Sequence, residues 1–182
     1  MRVSIVYESL FGNTREVAEA VARGVHTAAP EAEVTCVAVP SAGTEVADAD
    51  LLVLGAPTHA LGMPSERTRK MWLRREDVEA GRSRDGHELE PGAAGPALRD
   101  WLDSVPGHRS GRAAAFDTRL DKHLAGGAAP KLARRLRKHG YEVVAEPVGF
   151  VVEDMEGPLR AGELERAERW GADLVRQPAR RV

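Results

Sequence analysis

The densest grouping of short hydrogen-bonding side chains around a glycine is Ser9-Leu10-Phe11-Gly12-Asn13-Thr14. It follows an apolar run, Val3-Ser4-Ile5-Val6-Tyr7, and precedes a stretch from Arg15 to Val25 whose apolar residues recur at helical spacing. The six residues therefore read as a turn between a buried strand and a helix. A helix beginning there presents unpaired backbone N–H groups at the positive end of its dipole, which together suit a phosphate without any Lys or Arg. Gly12 permits close backbone approach, and Ser9, Asn13 and Thr14 add side-chain donors. The same residues also suit an ordinary helix start, with Asn13 as N-cap and Glu16 completing a capping box. The turn alone does not choose between the two.

Two later stretches carry comparable signals. Leu51-Leu52-Val53-Leu54 is apolar at every position, as in a parallel strand covered on both faces, and it empties into Pro57-Thr58-His59-Ala60-Leu61-Gly62. Two prolines and two glycines between Gly55 and Ser65 forbid regular structure, so this loop is long and shaped. Gly111 to Phe116 is a strand of small residues leading into Asp117-Thr118-Arg119. In open parallel sheets ligands sit at the carboxyl ends of strands, beside the point where strand order reverses. Glu8, ending the first strand, faces the same mouth as either a supporting acceptor or a solvated residue.

Composition narrows what such a site could serve. With 182 residues the chain suits one domain around a single sheet, expected over residues 1–176 with a frayed tail at 177–182. A net charge of −2 offers no field to recruit nucleic acid, and no basic groove interleaved with aromatics is visible. No apolar run approaches the roughly 20 residues of a membrane span. Met1-Arg2 leads directly into a strand-like run, which points to the cytoplasm. The single cysteine, Cys36, excludes an internal disulfide and a multi-cysteine metal site, and its apolar surroundings make it a packing residue.

The elements that must position these loops follow in order. Strands are expected near residues 2–7, 33–39, 51–54, 111–116 and 141–152, the last interrupted at Pro147, with helices near 13–26, 98–105, 130–139 and 162–176. Residues 41–50 read as a weak helix or loop, and 66–95 as an excursion too poor in apolar residues for its own core. Trp101 falls on a helical core face with Leu98, Leu102 and Val105, while Lys131, Arg134, Arg135, Arg137 and Lys138 form a solvated face. Alternating strands and helices predict a doubly wound α/β sheet with right-handed crossovers and no internal repeat.

The three strand-end loops resemble those of the flavodoxin family. Ser9, Gly12 and Thr14 match the family's T-x-T-G-x-T phosphate loop, with Phe11 replacing one hydroxyl; the Pro57–Gly62 and Phe116–Arg119 stretches match the two ring-lining loops more by position than by letters. The resemblance implies a three-layer sandwich with a five-stranded parallel sheet in the order 2-1-3-4-5. It also implies FMN as cofactor, its phosphate on residues Ser9, Leu10, Phe11, Gly12, Asn13 and Thr14. The isoalloxazine would lie between Pro57, Thr58, His59, Ala60, Leu61 and Gly62 on one side and Phe116, Asp117, Thr118 and Arg119 on the other. The backbone of Ala60-Leu61-Gly62 and the Asp117 carboxylate would then tune the flavin. No catalytic residue is expected, because the flavin would carry the chemistry.

This chain departs from electron-shuttling members in two respects. Neither ring loop offers a stacking Tyr or Trp, leaving His59 or the excursion's Trp72 as substitutes, and the near-neutral charge differs from their acidity. The implied function is electron delivery to a redox partner protein or a small-molecule acceptor. One alternative is an NAD(P)H-dependent quinone or flavin reductase using Arg67, Arg69, Lys70, Arg74 and Arg75. Another is a flavin-free binding module on the same fold.

Overall fold

The computed structural model describes residues 1–58, 81–82, 88–93, 95–106, 111–121, 127–154 and 156–176. Trp72, the arginine-rich part of the excursion and the 177–182 tail lie outside them. The strands are β1 (Arg2–Tyr7), β2 (Glu33–Ala38), β3 (Leu51–Pro57), β4 (Arg112–Leu120), β5 (Glu142–Val143) and β6 (Val148–Val152). The helices are α1 (Asn13–Ala28), α2 (Leu98–Ser104), α3 (Ala128–Lys138) and α4 (Glu163–Arg176).

All strand pairs are parallel, in the order β2-β1-β3-β4-β5, with β6 also paired to β4. This is the doubly wound sheet expected, in the expected order, and among the described residues it carries a sixth strand. The strand predicted over 141–152 divides into β5, beside Arg112–Ala113, and β6, beside Phe116–Leu120. Pro147, between them, has no N–H to continue the ladder, so each half pairs separately with β4. Two short 3₁₀ turns follow β2, Val39–Ser41 and, within the 41–50 stretch, Thr44–Asp48.

β3 is buried at every position through Ala56, as its uninterrupted apolar run requires of a central strand. Side chains alternate between two cores. One, with Leu52, Leu54, Trp101, Leu132 and Leu136, lies under α2 and α3; the other, with Ile5, Val21, Phe116, Phe150 and Leu174, lies under α1 and α4. Trp101 is core as expected, and its indole N–H donates to the Ala42 carbonyl at 3.0 Å.

The α1–α4 contact depends on two glycines. A methyl group on Gly24 would sit 1.9 Å from the Glu168 carbonyl oxygen, and one on Gly171 would sit 2.3 Å from that of Val21. The backbones approach where side chains are absent, which fixes α1 on the sheet and sets the direction in which its first turn points.

Candidate functional site

The first loop leaves the sheet at the carboxyl end of β1, between β2 and β3, where the chain's order along the sheet reverses. Gly12 has φ 92°, in the left-handed region, and is the N-cap of α1 with no side chain capping it. Of the two readings left open for this turn, the capping box from Asn13 and Glu16 does not form. Asn13 is the first helical residue, and its side-chain amide donates to the Glu156 carbonyl at 2.9 Å, a partner 143 positions away. Ser9 Oγ accepts from the Gly12 amide at 3.1 Å, and the Glu16 amide begins the helical ladder on the Gly12 carbonyl at 2.9 Å. Among the described residues the amides of Asn13, Thr14 and Arg15 meet no acceptor. These are the donors that a helix start offers to an anion.

The side chains of this loop face in different directions. Leu10 is buried against Leu89 and Ala93 of the returning excursion, with Phe11 partly buried on the same cluster. Thr14 and Thr118 share a buried hydroxyl–hydroxyl hydrogen bond of 2.8 Å, joining the first and third loops directly. The Leu10 carbonyl accepts from the Glu90 amide at 2.8 Å, and Arg15 Nε donates to Glu90 Oε2 at 3.1 Å.

The second loop is described only at its root. Pro57 ends β3, the Thr58 amide donates to the Thr118 carbonyl at 2.8 Å, and Thr58 Oγ1 accepts from the Ala128 amide at 2.9 Å. His59, Ala60, Leu61 and Gly62 lie outside the described residues.

The side chains of the third loop are engaged within the fold. The Phe116 ring is fully buried, making T-shaped contacts with Phe150 and Trp170, and lies across Gly55, where a methyl group would come 2.1 Å from it. It belongs to the core, and only its backbone remains for a ligand. Asp117 is also fully buried, with Oδ2 accepting from the Ala129 amide at 2.9 Å in the first turn of α3. Gly127 makes this possible, since a methyl group there would fall 2.4 Å from that oxygen.

Burial pushes the Asp117 carboxyl above the ordinary range, opposed by the Ala129 amide, the Arg119 guanidinium and Thr58. Among the described residues Asp117 Oδ1 has no hydrogen-bond partner, and it lies 3.5 Å from Arg119 Nε, whose guanidinium covers Gly149. On the other side of the sheet, burial pushes the Cys36 thiol up to about 12, with the Glu19 charge adding to it, so it stays protonated as a packing residue.

Two residues important to this edge had little or no voice in the sequence. Glu8 is buried, and its Oε2 accepts from the Leu98 amide at 3.0 Å, supplying the first turn of α2 with an acceptor that its own N-cap, Ala97, lacks. A helix starting after Pro96-Ala97 with no capping side chain was the available clue. Glu90 lies in a stretch with no periodicity, and nothing local points to its pairing with Arg15. Among the described residues no group of three His, Cys, Asp or Glu could hold a metal ion, and no helix is long and apolar enough to cross a membrane.

No family model matches the sequence, and no curated protein matches it. Solved structures do. The chain is similar to oxidised flavodoxin 1 from Bacillus cereus, with 20% identity and a TM-score of 0.66 over 98% of this chain and 100% of that one. It is similar to a flavodoxin from the domain Archaea at 19% identity and TM-score 0.63, covering 96% of each chain. A flavodoxin, WrbA-like protein from Agrobacterium tumefaciens matches at 22% identity and TM-score 0.55, over 97% of this chain and 98% of that one. The chain has the flavodoxin fold.

Proposed function

We propose that this protein binds FMN and carries electrons between it and a redox partner, either a protein or a small-molecule acceptor. The observation that carries the proposal is the α1 start: a left-handed Gly12 followed by amides of Asn13, Thr14 and Arg15 that meet no acceptor among the described residues, at the switch point of a flavodoxin-fold sheet. The solved structures that this chain resembles include several described as flavodoxins, which favours FMN over other phosphate-bearing ligands.

Residues Ser9 to Thr14 fit the phosphate, since a dianion is held by oriented N–H dipoles and needs no cation of its own. The Thr14–Thr118 bond keeps the phosphate loop and the third loop in one register, so that a ligand spanning both meets preset geometry. The backbone from Pro57 to Gly62 and from Phe116 to Arg119 would line the ring, with the Phe116 side chain assigned to the core. When bound, FMN supplies the redox chemistry, and the chain's residues bind it, orient it and set the polarity around it. Asp117 contributes a buried carboxyl at the ring end of the site, held in place by Ala129 and Thr58. The protein would work in the cytoplasm, as one unit over residues 1–176.

The test is optical. Purified protein should be yellow, or bind added FMN with micromolar or better affinity and shift its absorbance. A colourless protein that ignores FMN removes the proposal. Stopped-flow mixing of the FMN-loaded protein with NADPH should leave the flavin band unbleached over seconds; rapid bleaching would replace the carrier with a reductase.

A further inference from the structure

The excursion returns to the sheet by clasping the phosphate loop. Leu89 and Ala93 pack on Leu10, the Glu90 amide is bonded to the Leu10 carbonyl at 2.8 Å, and the Glu90 carboxylate is bonded to Arg15 Nε at 3.1 Å. The other Glu90 oxygen lies 3.1 Å from where a methyl group on Gly12 would be, so the carboxylate stands directly beside the turn. Arg15 is therefore occupied twice, by Glu90 and by Glu19 at 3.2 Å. It is half-exposed and in the first turn of α1, where a cation is disfavoured by the helix dipole and would otherwise be the natural partner of a bound phosphate.

We propose that Glu90 is a specificity-determining residue of the α1 cradle, one that holds Arg15 away from an incoming phosphate and sets a fixed negative charge against it. The proposal rests on the FMN reading given above. Its consequence is a site whose preference for a phosphorylated flavin over the same flavin without phosphate is narrow. Most of the affinity then comes from the ring, and the phosphate adds only what the amides give after Glu90's repulsion is subtracted. A carboxylate a few ångströms from a dianion at a protein surface alters binding by about tenfold, given an effective dielectric well above that of a dry interior.

The experiment measures FMN, riboflavin and inorganic phosphate binding to the full chain by calorimetry, for the natural protein, Glu90→Gln, Arg15→Gln and the double variant. Glutamine keeps the shape, the backbone bond to Leu10 and an oxygen for Arg15, so folding is preserved and only the charge is lost. Glu90→Gln should tighten FMN about tenfold and leave riboflavin within twofold. In the Arg15→Gln background the gain should shrink by more than half, because part of it comes from the Arg15 charge that Glu90 no longer neutralises. An FMN-to-riboflavin ratio unchanged or lowered by Glu90→Gln overturns the role of Glu90 while leaving the cofactor intact.

If neither flavin binds to any form, the cofactor reading fails. Phosphate alone then decides the role of Glu90 through the NMR shifts of the Asn13, Thr14 and Arg15 amides. Those shifts should move at roughly tenfold lower phosphate in Glu90→Gln, and an identical response in both proteins overturns the proposal.

Discussion

Helices α1 and α3 both begin at the carboxyl edge of the sheet, one after β1 and the other in the β4 crossover, and their first turns are completed in opposite ways. At α3 the chain fills its own donors: Thr58 Oγ1 takes the Ala128 amide and Asp117 Oδ2 takes the Ala129 amide, with Gly127 leaving the room for that carboxylate. At α1 no side chain among the described residues caps the turn, and the neighbouring Glu90 carboxylate bonds the Arg15 side chain. The same local physics thus yields a sealed end and an open one. Where both options exist in one molecule, leaving donors open has a cost in stability that a ligand can offset, whereas sealing them serves the fold alone.

Changes at the sealed end should therefore lower stability, and changes at the open end should lower binding more than stability. The largest effect belongs to Phe116→Ala, which empties the core between Gly55, Phe150 and Trp170; a loss of about 3–5 kcal/mol is expected in urea unfolding. A near-neutral result would return the ring to the ligand site.

Next is Asp117. Replacing it with Ala leaves the Ala129 amide buried without an acceptor, at a cost of about 1–3 kcal/mol. Asp117→Asn tests the charge separately. Because the folded carboxyl is raised above its usual 3.8, its contribution is fully present below that pH and is lost as pH rises through the folded value. Asp117→Asn should therefore gain on the natural protein as pH rises above 3.8, checked by urea midpoints at several pH values. A flat difference would show that Ala129, Arg119 and Thr58 already balance the burial.

The smallest stability change is at the open end. Gly12→Ala forces a Cβ into the left-handed region and costs about 1–2 kcal/mol, with FMN affinity falling further than riboflavin affinity as the amides shift. Equal loss of both flavins would place the cradle elsewhere.

This contrast also explains what could be read in advance. β3 was legible because every position is apolar, and α4 because Leu164, Ala167, Gly171 and Leu174 keep a helical period. The turn at Gly12 was legible as a turn, but not the fate of Asn13, since its acceptor Glu156 lies at the far end of the chain. The direction of the Phe116 ring was not legible, because Arg112-Ala113-Ala114-Ala115 has no alternation to say which face comes next, both faces being covered. Glu90 was invisible for a related reason: its role is defined by Arg15 and Gly12, 75 and 78 positions earlier, and by nothing beside it.

The glycine crossing of α1 and α4 has a bearing on how the chain acquires its shape. Gly24 and Gly171 are brought together across 147 positions of sequence, so α1 lacks its seat until α4 has been made. Synthesis must run past Gly171 before the turn at Gly12 is held firmly in place, and a product stopped before α4 would keep the β1 strand yet lose the brace behind it.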